Sequence, residues 1–208
     1  MPEPLRPFTS KLVPLPVDNV DTDQIIPARF LKGTSKDGLG EGLFADWRYD
    51  GDGQPKQGFV LNRPEMAGRA VLLAGANFGS GSSREHAAWA LQAVGIKAVL
   101  APLFADIFRN NALKNGLLPV ELPVTDHAEL VAAIEADPDA EVTVDLGAET
   151  VTLPGGRAVG FSVDPFARQM LLDGTDELGY LLSQGGLVAA YEDAHPARVD
   201  TTAPAWGG

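Results

Sequence analysis

The chain contains no cysteine. That absence excludes disulfides, cysteine nucleophiles and thiolate metal sites built from this chain alone. Positive charge is also scarce: 16 Lys and Arg stand against 28 Asp and Glu, a formal net charge of −12. Phosphate backbones demand a basic footprint, so nucleic acid is excluded as the expected partner. No apolar run approaches the roughly 20 residues of a membrane span. The first twenty residues lack the basic start and apolar block of a secretion signal. Cytoplasm is therefore the expected compartment. The three histidines, His86, His127 and His195, are too scattered for a histidine-rich metal site.

What is present is ordinary for a soluble globular protein, with 45% hydrophobic and 21% charged residues. A chain of 208 residues can bury a real core and is most simply one domain, residues 1–208. The 23 glycines and 16 prolines are dispersed, which signals many turns and no low-complexity tract.

Residues 12–17 read as an edge strand, because Pro14 and Pro16 cannot donate ladder hydrogen bonds. Residues 18–23 form a turn dense in side-chain acceptors. From 32 to 58 the chain is glycine-rich and polar, with residues 43–47 as its anchor. So long an irregular stretch in a compact domain reads as a mobile functional loop. Its fraying is expected to be worst at 32–42 and 50–57. From 70 onward strand and helix alternate: strands at 70–74, 97–101 and 117–121, helices at 87–94, 104–113 and 126–135. Gly116 stops the second helix and Asp126 caps the third. This alternation predicts a parallel α/β core. Residues 141–146, 149–153 and 158–163 alternate like antiparallel strands. Three short helices follow at 165–172, 176–182 and 186–192, then a frayed tail over 195–208.

One stretch concentrates the chemistry. Residues 75–87, GANFGSGSSREHA, lie between the strand at 70–74 and the helix at 87–94. Glycines there allow a sharp turn and close approach to a ligand. A helix start aims unpaired N–H groups and a positive dipole end at the turn. Ser82, Ser83 and Arg84 share that spot, a combination suited to a small anion. The same residues also fit a capping box, with Ser82 as cap and Glu85 reaching back. Capping and ligand binding do not exclude each other. A dinucleotide fingerprint fails, because Arg84 stands where the third glycine belongs. A P-loop and a hydrolase nucleophile elbow fail on spacing. His86 reads as a packing or solvent-facing residue, Trp89 and Phe108 as core. Asp21 and Asp23 fit a capping turn better than a metal site.

With that turn, DNVDTDQIIP at 18–27, FADIFRNN at 104–111, NGLLPV at 115–120 and the run from Asp164 through Glu192, the chain resembles the small subunits of 3-isopropylmalate dehydratase. These are swivel domains of the aconitase superfamily. The resemblance covers almost the whole chain. It implies an α/β, swivelling β/β/α domain with a parallel core, additional antiparallel strands and C-terminal helices. It implies interconversion of 2- and 3-isopropylmalate through isopropylmaleate, a step in leucine biosynthesis. It implies that Ser82 is the base that removes a carbon-bound proton, and that Ser83 and Arg84 contact substrate. It further implies a [4Fe–4S] cluster acting on the departing hydroxyl, with cysteine ligands on a large subunit, and hence a heterodimer. The resemblance assigns substrate choice to the early loop, here Leu31, Lys32 and Lys36. In that loop SKDGL at 35–39 replaces the Thr-Arg-Thr-Gly-Phe run common in bacterial members. Homoaconitate, citraconate and methylmalate remain alternative substrates, and a non-catalytic anion sensor an alternative class.

Overall fold

The computed structural model describes residues 3–31 and 38–195. Seven strands form one mixed sheet: β1 (Phe8–Leu15), β2 (Val71–Ala74), β3 (Ala98–Ala101), β4 (Leu118–Glu121), β5 (Glu141–Asp145), β6 (Thr150–Thr152) and β7 (Ala158–Gly160). Their spatial order is β4-β3-β2-β1-β5-β6-β7. Strands β1 to β4 run parallel, and β1, β5, β6 and β7 pair antiparallel.

Residue chemistry explains the division. Every residue of β2 and β3 is apolar and buried, as expected of parallel strands covered on both faces. Leu72, Ala74, Val99 and Ala101 face one core, and their neighbours Val71, Leu73, Ala98 and Leu100 face the other. The first core includes residues of α4 (Glu85–Ala93) and α5 (Asp106–Lys114). The second is closed by α6 (Val124–Ala136) and α7 (Pro165–Asp173). In β5 only Val142 and Val144 are buried, the alternation of a sheet covered on one face.

Strand β1 departs from the expected edge position. It lies inside the sheet and joins its two halves. Phe8 to Lys11 pair with β5, whereas Leu12 to Leu15 pair with β2. Pro14 lies beyond the stretch paired with β5, so its missing N–H interrupts no ladder on that side. The strand is tolerant of proline because its two neighbours use different halves of it.

Two further expectations are corrected. Helix α6 begins at Val124, with Pro123 at its cap and no side-chain cap bond. Asp126 instead pairs with Arg157 at 2.8 Å. Residues 38–58, expected to be irregular, also carry secondary structure. They hold two helical turns, α2 (Leu39–Gly42) and α3 (Ala45–Arg48). Leu39 and Phe44 are buried, and Phe44 stacks on Trp47 with ring centroids 5.6 Å apart. The expected C-terminal helices are α7, α8 (Glu177–Ser183) and α9 (Gly185–Ala194). The tail expected to fray lies, from 196 on, outside the described residues. Among the described residues no helix is long and apolar enough to cross a membrane.

Candidate active site

The loops after β1, β2 and β3 meet at the carboxyl ends of these parallel strands, where open α/β sheets bind ligands. Backbone hydrogen bonds join them. Asn19 N donates to Ala76 O at 2.8 Å, Gly79 N to Val20 O at 2.8 Å, and Thr22 N to Ser80 O at 2.8 Å. On the other side, Ala105 N donates to Phe78 O at 3.0 Å. The serine turn is thus held between the acceptor-rich turn after β1 and the approach to α5.

Two glycines make that closeness possible. Gly79 and Gly81 have φ of +80° and +93°, a region that side chains rarely adopt. A Cβ on Gly79 would lie 2.2 Å from Phe108, and one on Gly81 would lie 2.1 Å from the Asp21 carboxylate. Phe78 and Phe108 are fully buried at ring centroids 5.3 Å apart, which anchors the turn to α5.

The capping box does not form. Helix α4 begins at Glu85, Arg84 occupies the cap position, and no side chain caps it. Extended backbone at Arg84 carries Ser82 and Ser83 away from the helix end, and both are exposed. Ser82 is held through its backbone instead: the buried Thr22 hydroxyl donates to Ser82 O at 2.9 Å. The capping box in this region belongs to Asp21 and Gln24, at the start of α1 (Thr22–Ile25).

Ser82, Ser83 and Arg84 stand consecutively in the serine turn. The Arg84 side chain is 16% exposed and bonds the Asp23 carboxylate. Its Nη1 also lies 3.4 Å from Ile26 O. Ser83 Oγ accepts a hydrogen bond from Asn111 Nδ2 at 3.3 Å. Leu31 is half-buried and packs on the core, five residues beyond Ile26. Lys32 and Lys36 lie outside the described residues. His86 packs on Trp89, with ring centroids 4.7 Å apart.

Asp23, Thr22 and Asn111 contact the serine turn, which sequence reasoning did not foresee. Asp23 sits 61 residues from Arg84, and Asn111 sits 28 from Ser83. No local periodicity reports such pairings. The only signal for them is their membership in the two motifs that carry the family resemblance.

Among the described residues, no group of three or more His, Cys, Asp or Glu could hold a metal ion. An iron–sulfur cluster needs thiolates, and this chain has no cysteine to offer. The residues present therefore do not fit such a cluster within this chain.

A family model for the aconitase C-terminal domain matches residues 5–125, and the LeuD_N model matches residues 128–165. A 3-isopropylmalate dehydratase small subunit from Roseiflexus sp. RS-1 is 57% identical over 201 residues, covering 97% of this chain and 98% of that protein. One from Anaeromyxobacter dehalogenans 2CP-C is 60% identical over 190 residues, covering 91% and 97%. A crystal structure of 3-isopropylmalate dehydratase from Methanocaldococcus jannaschii superposes with a TM-score of 0.64. It is 27% identical and covers 89% of this chain and 99% of that one.

Proposed function

The chain belongs to the family of 3-isopropylmalate dehydratase small subunits, and from that premise we propose that its serine turn is the proton-transfer half of a two-subunit active site. The reaction interconverts 2- and 3-isopropylmalate through isopropylmaleate, in leucine biosynthesis. The observation that carries the reading is the exposed Ser82, with Ser83 and Arg84 beside it, at the carboxyl ends of the parallel strands.

Each residue has a physical task. Ser82 Oγ takes a proton from the carbon next to the one bearing the hydroxyl. The released C–H electron pair becomes the double bond of isopropylmaleate as the hydroxyl departs. Rehydration runs these steps backward with the hydroxyl on the other carbon. A serine hydroxyl is a weak base until its surroundings favour the alkoxide. The Arg84 guanidinium, and exclusion of water once the large subunit covers the turn, supply that bias. Ser83 and Arg84 hold a substrate carboxylate, for which the planar guanidinium fork is well matched. Asp23 keeps the fork aimed while the site is empty. The residues of this chain are assigned no part at the departing hydroxyl. That chemistry belongs to a large subunit bearing the cluster.

Substrate choice is assigned to the segment that contains Leu31, Lys32 and Lys36. Changing these residues in the assembled enzyme should alter the ratio of rates on isopropylmalate and on smaller hydroxy-dicarboxylates such as methylmalate. The rate law at Ser82 should be unaffected. An unchanged ratio in all three variants would remove specificity from this segment. Turnover of homoaconitate or methylmalate in preference to isopropylmalate would replace the proposed substrate.

A further inference from the structure

We propose that Asn111 is a positioning residue for this site: its side-chain amide sets the direction in which Ser83 presents its hydroxyl proton. The proposal rests on the reading of Ser83 and Arg84 as a carboxylate cradle. A serine hydroxyl has one proton and two lone pairs. Asn111 Nδ2 donates to Ser83 Oγ at 3.3 Å, which occupies a lone pair. The proton must then point elsewhere, and Ser83 is exposed and adjoins Arg84 in the chain. A donor behind the hydroxyl also polarises it, so it donates more strongly to an anion. An acceptor at position 111 would do the reverse. It would draw the proton inward and turn lone pairs toward the carboxylate.

Asn111 is carried on a braced element. Asn115, at the end of α5, donates from Nδ2 to Asn111 O at 2.8 Å. Its Oδ1 accepts from Trp89 Nε1 at 2.6 Å, and its carbonyl accepts from Gln92 Nε2 at 2.8 Å. Trp89 and Gln92 lie on α4, the helix that follows the serine turn. Helices α4 and α5 are therefore locked at one end by Asn115. One turn earlier on α5, the Asn111–Ser83 bond crosses to the turn that precedes α4. Phe108, three residues before Asn111, fills the space against Gly79 and keeps the turn on α5.

The test uses the assembled two-subunit enzyme. Asn111→Asp keeps the shape but offers only acceptors when ionised. Its KM for isopropylmalate should rise about tenfold or more, the loss expected for a hydrogen bond to a charged group. Its kcat should stay within about a factor of three, the pattern of a lost ground-state contact. As pH falls through the titration of the new carboxyl, the protonated acid regains a donor and KM should recover. Asn111→Ala should show no such recovery. Adding Asn111→Ala to Ser83→Ala should raise KM no further than Ser83→Ala alone, because one route carries both effects. A wild-type KM in Asn111→Asp, or losses that multiply in the double variant, would overturn the assignment. A measurement without turnover decides it independently. In the free chain, the Asn111 side-chain amide resonances should shift on Ser83→Ala, and unmoved resonances would contradict the bond. Absence of isopropylmalate turnover by the wild-type assembly would strike the functional reading instead, and the resonance test would still decide the role of Asn111.

Discussion

Two arginines flank strand β2, and they differ in how completely they are used. Arg69, just before the strand, is 5% exposed. Its guanidinium donates to the carbonyls of Glu65, Leu12 and Pro138 and to the Asp139 carboxylate. Those bonds tie β1, β2 and the α6–β5 connection together at the amino ends of the parallel strands. Arg84, beyond the other end of the strand, bonds the Asp23 carboxylate and, among the described residues, touches one carbonyl at 3.4 Å. It stands beside two exposed hydroxyls. A guanidinium whose three nitrogens all meet fixed acceptors is a structural clamp. One held by a single side-chain carboxylate, with donors to spare, can exchange that partner for a ligand. Saturation of donors separates the two roles, and burial alone does not.

The sharpest way to break this contrast is at the serine beside Arg84. Ser82→Ala should lower turnover of the assembled enzyme by about 10²–10⁴, the contribution of a general base. Its melting temperature should stay within about 2 °C of wild type, because the hydroxyl caps no helix. A loss of stability matching the loss of activity would return Ser82 to a structural role.

At the other end of β2, Arg69→Met should destabilise the chain by about 3–5 kcal/mol, since it strands buried carbonyls. That corresponds to a fall of about 10 °C in melting temperature for a chain of this size. Activity per folded molecule should be preserved. Arg84→Lys should give the opposite pattern. It should lower kcat/KM about 10- to 100-fold, because a point charge cannot copy a bidentate fork, with little change in melting temperature. If the two substitutions had the same effect on stability, the distinction between clamp and ligand holder would fail.

The smallest effect is expected at Asp139, where the hydrogen bond and charge of Lys11, and then the charge of Arg69, hold the carboxyl below its ordinary value of 3.8. A lowered carboxyl stabilises the fold above its unfolded pKa and ceases to do so as pH falls through the folded value. Asp139→Asn should therefore lower the melting temperature slightly at neutral pH. The gap from wild type should close as pH drops below about 3.8. A gap that persists in acid would assign the effect to packing.

The contrast also shows what the sequence could disclose. The alternation of strands and helices from 70 onward announced the parallel core, and the alternation within β5 announced antiparallel pairing. Ser82, Ser83 and Arg84 were legible because they are adjacent in the chain and follow glycines. Their supports were not. Thr22, Asp23 and Asn111 reach the turn only through the packing of three loops, and Arg69 reads as one more polar residue between strands. The proline-bearing β1 misled because proline reports a missing donor, not which neighbour would have used it. The Ser-x-x-Glu spacing misled because the helix starts two residues later than the box requires, at Glu85 with Arg84 at its cap.

The central claim is that this chain supplies the proton-transfer half of a shared site. Isopropylmaleate formation from isopropylmalate should be followed for this chain alone, for an iron–sulfur-loaded large subunit alone, for the two together, and for the large subunit with Ser82→Ala. Turnover is predicted only for the wild-type pair, with the Ser82→Ala pair reduced to a small residue of that rate. Robust turnover by this chain alone, or by the Ser82→Ala pair at the wild-type rate, would contradict it.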